Sequence, residues 1–194
     1  MKFSVSEITE LIRHRRTIYP KDLTDREVHK EMVERILGNA TWAPTHGMVQ
    51  PWRFAVYSGS GRNKLSMFLG EEYTRITAPE KFLQRKYDNA VQRPLQSSVV
   101  IGIGMAHDPT GKISERDNQF AVACAVQNMH LTCTAYGLGG FWATGGAMTG
   151  TGMRDFLGLG EHDQALGLFF IGYPAIDWPK GYRKPLDQLV KWVG

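Results

Sequence analysis

The stretch from Glu115 to Tyr136 constrains the fold of this chain more than any other. It is rich in Ala, Gln and Met, carries Phe120, Cys124, Gln127, Asn128 and Leu131 along one side, and is followed by Gly137 in the C′ position where a helix stops. This pattern predicts the longest helix of the molecule and the core around which the rest is arranged. Cys124 and Cys133 fall on that helix nine residues apart, about 13 Å along its axis and on opposite faces. That is beyond the roughly 7 Å between Cα atoms that a disulfide tolerates, so both are read as buried thiols.

The order of the remaining elements narrows the fold class. Ser4 with Glu7 forms a capping box ahead of Ile8, Leu11 and Ile12, predicting a helix that ends near His14. Thr24 with Glu27 repeats the device ahead of Val28, Met32, Val33, Ile36, Leu37 and Ala40. Strands are predicted at 52–57, 97–104, 140–143 and 165–172, and helices at 62–74, 79–92 and 152–157. Two helices come first and no regular βαβ alternation follows, so the class is α+β. A length of 194 residues with 42% hydrophobic content fits one domain, residues 1–194. The tail from Pro174 mixes prolines, aromatics and bases, which suits an extended arm lying on a partner subunit.

Several function classes are disfavoured. The 23 Lys and Arg against 19 Asp and Glu leave a net charge of +4, but apart from Arg13-His14-Arg15-Arg16 the bases are scattered, so no nucleic-acid partner is expected. The best apolar run, Val99 to Ala106, is far short of the about 18 to 20 residues that span a bilayer. The first residues lack the apolar core of a signal peptide, which predicts a cytoplasmic protein. None of the six histidines shows the i, i+4 spacing of a zinc helix and there is no CxxC, so no metal site is expected and redox chemistry would need an organic cofactor.

Four segments carry candidate chemistry. Arg15-Arg16-Thr17 could bind a phosphate through charge-assisted contacts, although bases at a helix end also simply answer its dipole. The loop from Ala43 to Trp52 presents His46 and Gln50 beside Trp42 and Trp52, which could wall a planar ring or belong to an ordinary connection. From Gly137 to Gly146 so much glycine surrounds Trp142, Ala143, Thr144 and Gly145 that backbone N–H groups can approach a ligand closely, though turns alone would explain it. It fits neither a dinucleotide-binding G-x-G-x-x-G nor a P-loop. Arg183-Lys184 on the tail is a further basic pair, or solvated surface charge.

Taken in order, these segments resemble the nitroreductase family. The matching motifs are Arg15-Arg16-Thr17, Ala43-Pro44-Thr45 leading to Gln50-Pro51-Trp52, Gly137-Leu138-Gly139-Gly140, and Ile171-Gly172-Tyr173-Pro174. The resemblance implies a central mixed sheet flanked by helices, in an intertwined homodimer with a C-terminal arm and an FMN in each of two sites built from both subunits. By that likeness Arg15, Arg16, Thr17 and Arg183 bind the phosphate and ribityl end. Trp42 and His46 reach the flavin from the partner, Gln50 also binds the cofactor, and Trp142, Ala143, Thr144 and Gly145 line its ring. The implied reaction is ping-pong: NADH or NADPH delivers hydride to flavin N5, and an acceptor such as a nitroaromatic, a quinone or an unsaturated carbonyl then takes its place, with His46 as a candidate proton donor or substrate ligand. The alternatives are a flavin-processing or dehalogenating relative, or a non-catalytic FMN-binding protein that stores or senses the cofactor. Thr17 replaces the family's usual Ser, Met48 stands where many members have Asn, and Tyr19 stands where a further base is frequent.

Overall fold

The computed structural model describes residues 3–194. Four strands form one sheet in the order β1-β2-β4-β3: β1 is Trp52–Ser58, β2 Val99–Met105, β3 Gly139–Ala143 and β4 Gln164–Gly172. Every neighbouring pair is antiparallel, and the parallel component of the sheet is a single bridge between Thr17 and Gly140.

Six helices cover the sheet: α1 Val5–His14, α2 Lys30–Ala40, α3 Gly61–Ile76, α4 Gln84–Leu95, α5 Glu115–Ala135 and α6 Gly150–Phe156. The period-two alternation of the strands divides the core. Val99, Ile101, Ile103, Phe169 and Ile171 pack against α2 and α5, whereas Val100, Leu168 and Phe170 pack against α3 and α6. Each such fully buried apolar side chain contributes about 1.5–3 kcal/mol.

Local signals explain most boundaries. Ser4 Oγ accepts the Glu7 N–H at the start of α1, and Ser114 Oγ accepts the Asp117 N–H at the start of α5. At the far end of α5 Gly137 adopts φ +70°, with Gly137 N–H on the Thr134 carbonyl and Leu138 N–H on the Cys133 carbonyl. This Schellman turn feeds the chain directly into β3.

Three expectations are corrected. The Thr24–Glu27 pair does not cap α2: Thr24 Oγ1 accepts from the Arg26 N–H in a local turn, Val28 is drawn into the core with its N–H on Ser98 Oγ at 2.7 Å, and the helix starts only at Lys30. The helix expected over 79–92 is divided: Pro79–Lys81 form a 3-10 turn, Phe82 turns extended and packs on Tyr73 and Tyr87, and α4 begins only at Gln84 and runs to Leu95. On α5 the buried side is Val122, Ala125, Val126, Met129 and Cys133, so the side bearing Phe120, Cys124 and Gln127 faces outward and Cys124 is not a buried thiol.

Among the described residues no helix is long and apolar enough to cross a membrane, and no three metal-ligating side chains converge.

Candidate functional site

The end of α1 delivers Arg15, Arg16 and Thr17 to the edge of β3. Thr17 makes the parallel bridge to Gly140, and the Ile18 N–H donates to the Gly140 carbonyl at 3.2 Å. The two arginines differ in what they do. Arg16 donates Nε to the Pro179 carbonyl at 2.8 Å and Nη1 to the carbonyls of Arg13 and Arg15, so it ties the tail to α1. Arg15 is half-buried and its pKa is lowered, first by burial and then by the like charges of Arg183 and Arg16. Among the described residues no carboxylate forms an ion pair with this cluster. Cations held together without a counter-ion are unfavourable until an anion joins them, so the cluster suits a phosphate.

Beneath it lies His130, edge-on to Phe169 with ring centroids 4.6 Å apart. Burial, and secondarily the charge of Arg15, lower its pKa to about 4, so the imidazole is neutral. The chain passes close by because position 140 is glycine: a Cβ there would stand 2.7 Å from Phe169 Cζ and 3.1 Å from His130 Nδ1.

The strand end supplies a second surface. Trp142 commits its indole N–H to the Leu166 carbonyl at 3.0 Å and Ala143 is buried, while Thr144, Gly145 and Gly146 are exposed and present backbone. Ala143, Gly145 and Gly146 line a cleft of about 610 Å³ together with Tyr73 from α3, Lys81, and Arg85 and Arg93 from α4. Such a volume fits a small organic ligand.

The loop before β1 forms a separate region. Trp42 is 85% exposed, whereas Trp52 is only 6% exposed and packs in the core, so Trp52 is not a wall for a ring. His46 Nδ1 lies 3.5 Å from Asp117 Oδ2 in the first turn of α5. Met48 (φ 55°) and Gln50 (φ 47°), both exposed, occupy the left-handed region that non-glycine residues rarely adopt. Strain of this kind concentrates at functional loops.

These parts do not all meet within one chain. The His46 loop contacts α5 at Asp117 while Arg15 acts on His130, thirteen residues further along the helix, about 20 Å at 1.5 Å per residue. The structure thus brings together Arg15, Arg16, Thr17 and Arg183, and separately Ala143 and Gly145 with the α4 cleft, while Thr144 is exposed next to it. It leaves Trp42, His46 and Gln50 apart from the Arg15 group. His130, Arg85 and Arg93 were not singled out from sequence; only the i, i+8 spacing of the two arginines on one helix face offered a signal.

Comparison with known proteins places these features in a family. The Nitroreductase family pattern matches residues 12–173. A Haemophilus influenzae protein provisionally named an NAD(P)H nitroreductase is 30% identical over 153 residues, 78% of this chain and 81% of its own. The crystal structure of a nitroreductase-like family protein from Bacillus cereus superposes with a TM-score of 0.81 at 28% identity, covering 100% of this chain and 98% of that one. A provisionally named nitroreductase from Desulfovibrio desulfuricans, solved in complex with FMN, shares the fold with a TM-score of 0.72 at 24% identity, covering 100% of this chain and 99% of its own.

Proposed function

Because the chain belongs to the nitroreductase family, we propose that it is an FMN-dependent oxidoreductase that passes electrons from NAD(P)H to a small organic acceptor, acting as a homodimer with two composite sites. The observation that carries this reading is the Arg15–Arg183 cluster, cationic and without an acidic partner, beside the Thr17–Gly140 bridge.

Arg15 and Arg183 would hold the phosphate, with the Thr17 hydroxyl beside it. Arg16 contributes mainly by fixing the tail that carries Arg183. The exposed backbone of Thr144 and Gly145 would meet the edge of the ring, and Trp142, locked by its bond to Leu166, would stiffen the strand end from which that backbone projects. FMN, when bound, supplies the two-electron carrier between nicotinamide and acceptor. Donor and acceptor would occupy the same cleft in turn, which is the condition for ping-pong kinetics. Nitroaromatics and quinones are the acceptor classes proposed for it.

Trp42, His46 and Gln50 would complete the site of the other subunit. An isologous pairing along α5 sets the N-terminal half of one helix against the C-terminal half of its copy, which closes the 20 Å gap within one chain at about the length of the offset itself. His46, with Nδ1 3.5 Å from Asp117 Oδ2, would there donate a hydrogen bond or a proton to the acceptor.

The test is the absorbance spectrum of the purified protein, before and after anaerobic addition of NADH and then NADPH. Flavin bands that bleach support the reading. Bands that survive both nucleotides indicate FMN storage or sensing instead, and a protein that takes up no FMN overturns it.

A further inference from the structure

The cleft beside Gly145 carries a charge pattern that the flavin reading does not use. Its lining includes four cations, Lys81, Arg85, Lys86 and Arg93, and neither Asp nor Glu. Among the described residues none of the four forms an ion pair. Of the acids close by, Glu72 is held by Arg75 at 2.7 Å, Asp88 accepts from Gln84 at 2.8 Å, and Glu80 is exposed outside the lining. Asp22 lines only the adjoining outer cleft, which shares Arg85 and Arg93. The Arg93 guanidinium is half-buried and lies 5.3 Å from the Phe141 ring centroid. Withdrawing a cation from water without a carboxylate partner is costly unless a ligand supplies the negative charge. Besides the uncharged polar groups of Thr77 and Asn89, the rest of the lining includes an apolar surface of Ile76, Ala143, Ala147 and Met148 together with the Tyr73 ring.

We infer that this cleft selects small molecules combining a flat apolar body with a carboxylate or phosphate, the acid group gripped by Arg85 and Arg93 and the body lying toward Gly145. An Arg pair one helical face apart can take such a group through charge-assisted bonds that a neutral analogue does not make. The inference rests on the proposed oxidoreductase reading only for what happens to the bound molecule. The grip itself does not require turnover.

The test therefore measures binding first. Calorimetric titration of the purified protein with 4-nitrobenzoate and with 4-nitrobenzyl alcohol compares one aromatic body with and without the charge. At least tenfold tighter binding of the carboxylate is expected, falling severalfold or more in Arg85→Gln/Arg93→Gln and unchanged in Lys30→Gln, which alters an exposed cation of α2 on the opposite face of the sheet. Arg85→Gln alone, at an exposed position, serves if the double variant does not fold. Equal binding of the two probes to the unaltered protein, or a preference that survives loss of both arginines, overturns the inference. The ratio of KM for NADPH to that for NADH tells which acid is recognised: a ratio that shifts in the variants identifies the donor's 2′-phosphate, and an unchanged ratio with lost nitrobenzoate preference identifies an acidic acceptor. The spectrum keeps the two proposals apart. A flavin that bleaches in a protein without charge preference sinks only this inference, and charge preference in a protein that takes up no FMN sinks only the oxidoreductase reading.

Discussion

Two residues show how single side chains record the demands of the site. Met48 sits at φ 55° and is 75% exposed, so its conformation is set by the loop and its side chain gains little from packing. Asn tolerates the left-handed region far better than Met, because its short polar side chain bonds locally to the backbone. An Asn here would thus have a backbone reason of its own. Met48→Asn is expected to raise stability by about 0.5–1 kcal/mol, read from thermal unfolding of the flavin-free protein, and to tighten FMN separately. No gain in stability would show that the loop relaxes around Met. His130 makes the opposite statement, since burial and then Arg15 hold its folded pKa near 4 against an ordinary value of 6.5. Between those values the unfolded chain binds a proton that the folded chain refuses. Stability is therefore complete above 6.5 and declines as the pH falls toward about 4, by about 3 kcal/mol over the window. His130→Gln should flatten urea-unfolding free energies measured across that range, and an undiminished slope would assign the dependence to other groups.

At the scale of elements, close approaches decide where the strands deliver their ends. Gly167 of β4 adopts φ +115° beside the register shift of β2, and a Cβ there would stand 2.2 Å from the Ala143 carbonyl oxygen. Because the obstacle is backbone, Gly167→Ala must push β4 away from the strand end that presents Thr144 and Gly145. About 3 kcal/mol of destabilisation is expected in urea unfolding, together with weakened FMN binding. Loss of stability with FMN affinity intact would separate that strand end from the site. Features of this kind also mark how far the sequence could be read. The bounds of α5, its Schellman stop at Gly137 and the capping of α1 were legible because their signals lie within a few residues. The start of α2 was not, since it depends on Val28 reaching Ser98 seventy residues away. Which side of α5 is buried was equally hidden, because Phe120 and Leu131 on one side compete with Val122, Val126 and Met129 on the other, and only the placement of the sheet chooses between them. The arginines of the first motif were legible as a pair, but not their division of labour, which hydrogen bonds to distant carbonyls establish. Nothing local to Arg85 and Arg93 marks them, because only the fold brings them into one cleft with Gly145.

For the whole molecule, the apolar surface left open is the strongest physical argument for assembly. Val5, Ile8 and Ile12 of α1, Phe120 on the outward side of α5, and Tyr182, Leu186, Leu189 and Trp192 of the tail are all exposed. Exposed apolar residues on two helices and on a tail whose regular structure is the short 3-10 turn Leu186–Gln188 make a surface that a second copy would cover. The same surface would account for the divided site under the proposed assembly, since a two-fold pairing through α5 would bring His46 to the Arg15 cluster of the other copy. Light scattering is accordingly expected to give twice the chain mass of 21.8 kDa, with a melting temperature that rises with protein concentration. Phe120→Glu puts a charge into that interface while leaving the buried side of α5 untouched. If assembly and cofactor binding are one property, this variant becomes monomeric and loses FMN together, although Arg15, Thr17 and Arg183 are unaltered. A variant that is monomeric yet holds FMN as tightly as before would show that one chain makes a complete site, and would return Trp42, His46 and Gln50 to the role of an ordinary surface loop.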